Sequence, residues 1–198
     1  MITGTALWYA SRATGVISLI LLSSVAILGI VVSRQGRLPG LPRFAVTGLH
    51  RSLSLLTVAF LGIHIVTAIA DGYVHIPWLS TVVPFTSDYE RFWIGLGTVA
   101  VDMVAAVIIT SLLRARLRPS VWRAVHWLSY ASYPVTLVHS LGASKDLRSG
   151  WLLALTLATV FAVVTAIGYR IIDAAAAIPR ARRVPQQLAR TEKTGSPR

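Results

Sequence analysis

Four histidines lie inside stretches that are otherwise almost wholly apolar. His50 and His64 sit in "GLHRSLSLLTVAFLGIHIV", residues 48–66, and His126 and His139 in "WRAVHWLSYASYPVTLVH", residues 122–139. An imidazole in hydrocarbon costs free energy unless something binds it. Histidines placed in such surroundings on more than one segment are candidates to bind a shared group, and the elements that carry them decide which group fits.

Those elements are membrane spans. Of 198 residues, 55% are hydrophobic and only 13% charged, against roughly 25% charged in soluble domains. A span needs about 20 mostly apolar residues. Five stretches qualify: Leu7–Ser33, Phe44–Ala70, Trp93–Leu113, Val121–Leu141 and Trp151–Ile172. The first lacks a basic region in front and a small-x-small cleavage site behind, and "SRQGR" follows it. It is therefore expected to stay as a span and not to leave as a signal peptide.

The net charge of +12 is distributed as membrane topology, not as a nucleic-acid surface. Arg34, Arg37 and Arg43 follow the first span. Arg114, Arg116, Arg118 and Arg123 follow the third, and Arg170, Arg180, Arg182, Arg183, Arg190, Lys193 and Arg198 end the chain. These regions are expected on the cytoplasmic side. The opposite loops balance Arg91 with Asp71, Asp88 and Glu90, and flank Asp146 with Lys145 and Arg148. The expected fold is all-α: a bundle of five transmembrane helices, N-terminus outside and C-terminus cytoplasmic. Residues 1–178 form the transmembrane domain, and residues 179–198 a basic tail, disordered or resting on anionic headgroups. The loop "DGYVHIPWLSTVVPFTSDYER" is broken by Pro77 and Pro84 and is expected to lie on the membrane interface.

In this topology the second and fourth helices run in the same direction. His50 and His126 each lie about six residues inside their helices, and His64 and His139 about twenty inside. The depths pair His50 with His126 near the cytoplasm and His64 with His139 near the outside. Fourteen residues at ~100° each return His64 to within ~40° of His50. The thirteen between His126 and His139 leave ~140°, which a kink at Pro134 is expected to repair.

Two imidazoles facing each other at one depth can ligate a haem iron from both sides of the porphyrin. Two such pairs predict two stacked haems, ~20 Å apart along the membrane normal by helix rise. The chain has no cysteine, which excludes thioether attachment, iron–sulfur clusters and disulfides. Zinc fits less well, since each site offers two histidines and no nearby carboxylate. Three alternatives stay open: a cofactor-free scaffold or transporter subunit, a single-haem form with only the inner pair filled, and a quinone-linked or oxidase-type enzyme.

The pattern His-x13-His on one helix and His-x12-His two helices later resembles the ferric reductase-like transmembrane family, which includes ferric reductases, NADPH oxidases and the haem-binding subunit of a methionine sulfoxide reductase system. "LHR" at 49–51, "TSLLRARL" at the end of the third helix and "WRAVHWLSYASYPVTLVHSLGA" at 122–143 are similar to that family's segments. The resemblance covers roughly residues 6 to 175. It implies two non-covalent b-type haems, held by the pairs His50/His126 and His64/His139. It further implies electron transfer across a bacterial cytoplasmic membrane to an extracytoplasmic acceptor: ferric iron, a flavoprotein or a reductase. This chain has no room for FAD and NAD(P)H domains, so the donor is expected to be quinol or a separate flavin reductase.

Five further residues are candidates. Arg123 shares a helical face with His126 and Arg51 adjoins His50. Either suits an inner propionate, or serves topology alone. Arg12, in "WYASRATG", snorkels to the interface or holds an outer propionate. Asp102, about ten residues into the third helix, is a candidate proton relay, quinone contact or interhelical hydrogen-bonding group. His75 is expected to be a solvent-exposed loop residue or a cap on the outer haem edge. Gly48 and Gly62 stand ~200° from the histidines two residues on, and are expected to pack against another helix.

Overall fold

The computed structural model describes residues 2–33, 42–72 and 74–194. The loop positions Arg34 and Arg37, and Tyr73 and Arg198, lie outside the described residues. Six α-helices account for most of the chain: α1 (Ile2–Ser33), α2 (Arg43–Ala70), α3 (Arg91–Leu112), α4 (Pro119–His126), α5 (Leu128–Ala143) and α6 (Gly150–Thr194). Short 3₁₀ turns span Trp78–Thr81, Arg114–Arg116 and Asp146–Arg148. No strand occurs among the described residues.

Among the described residues four segments are long and apolar enough to cross a membrane: Thr5–Ser33, Arg43–Ala70, Arg91–Leu112 and Gly150–Ile172. Their exposed residues are large and greasy, among them Leu55, Leu56, Ile63 and Val66 on α2 and Phe161, Val164, Ile171 and Ile172 on α6. A water-soluble domain does not leave so much contiguous apolar surface uncovered. Buried hydroxyls turn back onto their own helices, Ser23 to the Leu19 carbonyl (2.7 Å), Thr57 to Leu53 (2.7 Å) and Thr156 to Leu152 (2.9 Å). That is how polar side chains are satisfied where no water reaches. α6 continues beyond its apolar part to Thr194, through most of the basic segment expected to be disordered or to rest on headgroups.

The expected fourth span, Val121–Leu141, is two helices and not one. α4 ends at His126 and α5 starts at Leu128, with Trp127 between them. Trp127 keeps helical angles (φ −62°, ψ −23°), but the Tyr130 N–H reaches the Trp127 carbonyl, three residues back. Such 3₁₀ tightening adds ~20° of rotation for each residue so wound. It turns His139 toward the face of His126, the direction that the thirteen-residue spacing needs. Pro134, expected from the sequence to make this repair, lies inside α5. Arg170 of α6 holds the junction by donating to the Tyr130 hydroxyl (2.6 Å) and lying over the Trp127 and Tyr130 rings.

The helices pack as two pairs, α1 with α2 and α3 with α5, joined where α1 meets α5 and α6. Leu19, Tyr133 and Val163 form the core of that junction. The pairs are antiparallel. Ser11 of α1 meets His64 near the end of α2, and Trp93 of α3 meets His139 near the end of α5. At the same end of the bundle, Arg12 forms an ion pair with Asp146 of the α5–α6 connection and donates to Ser144 Oγ (3.3 Å). The segment after α2 folds onto α3 without a spanning helix. Thr98 donates to the Ser80 carbonyl, and the Phe85 ring lies against Gly95.

The Arg12–Asp146 pair ties α1 to the α5–α6 connection, with side chains 33% and 50% exposed. Screening at that exposure limits it to about 0.5–1 kcal/mol. A double-mutant cycle of Asp146→Ala and Arg12→Ala in a reversible detergent titration is expected to give a coupling of that size, the contacts of Arg12 with Ser144 and Trp8 being lost equally in both backgrounds. Fully additive losses would show that the two side chains act independently.

Candidate histidine sites between the helix pairs

A buried imidazole has two nitrogens to satisfy, and the structure shows one device for the first of them. His64 Nδ1–H donates to the Ser11 carbonyl of α1 at 2.7 Å. His139 Nδ1–H donates to the Trp93 carbonyl of α3 at 2.7 Å. Each acceptor lies one helical turn before a glycine, Gly15 and Gly97. Each glycine is where the imidazole rests: a Cβ there would stand 3.0 Å from His64 Cε1 and 2.7 Å from His139 Cε1. A carbonyl within a helix already receives the N–H four residues on, but it has a second lone pair. The missing side chain lets an imidazole reach it.

His50 repeats the arrangement more loosely. It rests on Gly29, where a Cβ would lie 3.4 Å from its Cε1. Its Nδ1 is directed at the Val25 backbone, again four residues before the glycine, without closing a full hydrogen bond. His126 has no such seat among the described residues. Its ring stacks on Trp122 (centroids 4.8 Å apart, planes 26° apart), and its Nδ1 is buried without a partner. Arg114 also lies over the Trp122 ring, 4.3 Å from its centroid.

The four histidines come together as two pairs. His126 is an electrostatic neighbour of His50, and His139 of His64. α2 and α5 do not pack against each other to any extent; α2 lies on α1 and α5 on α3. The two members of each pair therefore belong to different helix pairs. Among the described residues no group of three or more metal-ligating side chains occurs, so each pair stands without a carboxylate or a third histidine.

The remaining candidates separate. Arg51 is exposed beside His50. Arg123 is exposed and lines a cleft of about 220 Å³ with Arg114, Leu117, Pro119 and Trp122. Arg12 is engaged by Asp146, Ser144 and the Trp8 ring, 4.1 Å from its guanidinium. Asp102 is exposed on α3 and has no hydrogen bond to another helix among the described residues, so the expected interhelical bond is absent. His75 is exposed in its loop. Gly48 and Gly62, expected to pack against a helix, face open space, since a Cβ at either would meet nothing within 4 Å. The glycines in contact with the histidines are instead Gly15, Gly29 and Gly97, on other helices. Their signal in the sequence is the fourteen-residue interval from Gly15 to Gly29, which equals that from His50 to His64.

Residues 14–137, more than half of the chain, match the family model described as ferric reductase like transmembrane component. The chain belongs to that family. The match runs from within α1 through most of α5 and takes in His50, His64 and His126, while His139 lies two residues past its end. No curated protein and no solved structure matches the chain. Family membership makes this a membrane protein of the ferric reductase-like, electron-transferring kind.

The two backbone acceptors assign tautomers. With Nδ1 protonated and donating, His64 and His139 each keep an Nε2 lone pair. Nitrogen spectra of the purified chain with ¹⁵N-labelled imidazoles, at neutral pH and before any cofactor is added, are expected to show both rings protonated at Nδ1. Protonation at Nε2 in either ring would contradict the geometry.

Proposed function

We propose that this chain is a transmembrane di-haem b-type cytochrome that passes electrons across the cytoplasmic membrane to an extracytoplasmic acceptor. The observation that carries the reading is the donor set. Two pairs of imidazoles draw their members from different helix pairs, and in the outer pair both rings hold Nδ1 on a backbone carbonyl with Nε2 left as ligand. This is the state in which proteins present histidine to a metal. The orphaned, buried Nδ1 atoms of His50 and His126 belong to the other pair, which is part-buried and offers two further nitrogens.

His50 with His126, and His64 with His139, would each hold one b-type haem. The haem supplies a reversible one-electron couple whose potential depends on its axial ligands and surroundings. The chain supplies ligation, burial and orientation. α1 and α3 fix the imidazole planes of the outer pair through Ser11 and Trp93. Arg51 and Arg123 stand near the inner pair as cations for propionates. Arg12 is already paired with Asp146, so a propionate there would share it.

The haem domain is residues 1–178, and the basic segment 179–198 lies at the cytoplasmic face. Loop charge places the N-terminus outside. The donor is quinol or a separate flavin reductase at the cytoplasmic side. The acceptor is ferric iron, a flavoprotein or a reductase outside, one electron reducing each ferric ion to ferrous. Asp102 favours quinol as donor: it is an exposed acid within a membrane-spanning helix, within reach of a lipid-dissolved molecule that releases protons on oxidation.

Proteoliposomes made with haem-supplied protein and loaded with ferricyanide test the function. Dithionite added outside is expected to reduce the trapped ferricyanide at least about tenfold faster than in protein-free vesicles, and His64→Ala is expected to abolish the gain. Equal rates with and without the protein would overturn the proposal.

A further inference from the structure

The histidines are carried by α2 and by the α4–α5 segment, yet what orients two of them lies on α1 and α3. We propose that Gly15 and Gly97 are positioning residues for His64 and His139, each opening the helix carbonyl one turn before it, at Ser11 or Trp93, to an imidazole Nδ1–H. The inference rests on the haem reading for its consequence, but not for its geometry.

The arrangement is a register, not three coincidences. α1 and α2 run antiparallel, and both carry their key residues at an interval of fourteen. When Gly15 meets His64, Gly29 must meet His50, because the two helices rise equally per residue. α3 presents the same pair of positions to α5, the Trp93 carbonyl and Gly97 against His139. Trp93 is locked in turn, since its ring lies against Gly142, three residues beyond His139 on α5. Among the described residues His126 has no glycine against it and stacks on an aromatic ring instead.

The fit is graded, and so are the expected effects. A methyl at Gly97 would come within 2.7 Å of His139 Cε1 and 2.8 Å of Nδ1, distances at which something must shift. At Gly15 it would come within 3.0 and 3.1 Å of the same atoms of His64, so that ring must tilt. At Gly29 it would come no nearer than 3.4 Å to His50, ordinary van der Waals contact. A displaced ring loses its carbonyl, and with it the tautomer and the aim of Nε2. Disturbing such an outer-shell partner typically weakens a metal site about 10- to 100-fold. The order Gly97, then Gly15, then Gly29 follows from the distances alone.

The test compares Gly97→Ala, Gly15→Ala and Gly29→Ala with Gly62→Ala, whose new methyl meets nothing. In haem-supplied protein, Gly97→Ala is expected to lose the outer haem, taking haem per chain from two to one. Gly15→Ala is expected to keep it but release it about tenfold faster to a haem acceptor, while Gly29→Ala and Gly62→Ala match the parent chain. The ¹⁵N spectrum of the cofactor-free chain supplies an independent readout. There His139 is expected to lose its Nδ1–H signature in Gly97→Ala and keep it in Gly62→Ala. Should Gly97→Ala fail to fold, Gly15→Ala carries the same comparison through His64. Unchanged haem retention and unchanged imidazole spectra in both variants would overturn the inference. A parent chain that binds no haem, with His139 still shifted by Gly97→Ala, would overturn the haem reading and leave the seating intact.

Discussion

An imidazole inside a membrane has to place both ring nitrogens, and much of this structure follows from how it does so. Water is absent, and a lone buried polar group costs several kcal/mol. Here the first nitrogen of His64 and of His139 goes to a backbone carbonyl of a neighbouring helix. That makes α1 and α3 part of the site although neither carries a candidate ligand. It also explains the pairing of helices: α1 lies on α2 and α3 on α5, while α2 and α5 stay apart. His64 and His139 are each held from behind by the neighbouring helix of their own pair, which leaves the second nitrogen without a protein hydrogen bond among the described residues.

The two ends of the bundle solve the problem differently. At the Arg12 end, both histidines have carbonyl partners and glycine seats, and the ends of α1 and α5 are clipped together through Asp146 and Ser144. At the Arg114 end, neither Nδ1 is satisfied by the protein, and a stack of Arg114, Trp122 and His126 takes the place of the seat. The second arrangement is built at a junction between two helices, with Trp127 held by Arg170 from α6. One site is thus braced by continuous helices and the other by side-chain stacking beside an exposed arginine cleft.

Much of this was legible in the sequence, because the physics involved is local or periodic. Apolar runs mark the spans, and the His50–His64 interval puts both rings on one face of α2. Matched depths pair His50 with His126 and His64 with His139, the neighbours that the structure brings together. What was not legible depends on which helices touch. The break at Trp127 carries no glycine or proline, while Pro134, the visible breaker, is absorbed in α5. The seats at Gly15, Gly29 and Gly97 are invisible without the antiparallel register, whereas Gly48 and Gly62, beside the histidines in sequence, face open space.

The central claim is that each histidine pair binds one haem, and haem per chain in detergent-purified protein, made with ample haem supply, tests it most directly. The account predicts two b-type haems per chain, both low-spin when reduced with dithionite, falling to none when all four histidines are replaced by alanine. Protein that carries no haem, or haem that persists unchanged in the four-alanine variant, would contradict it.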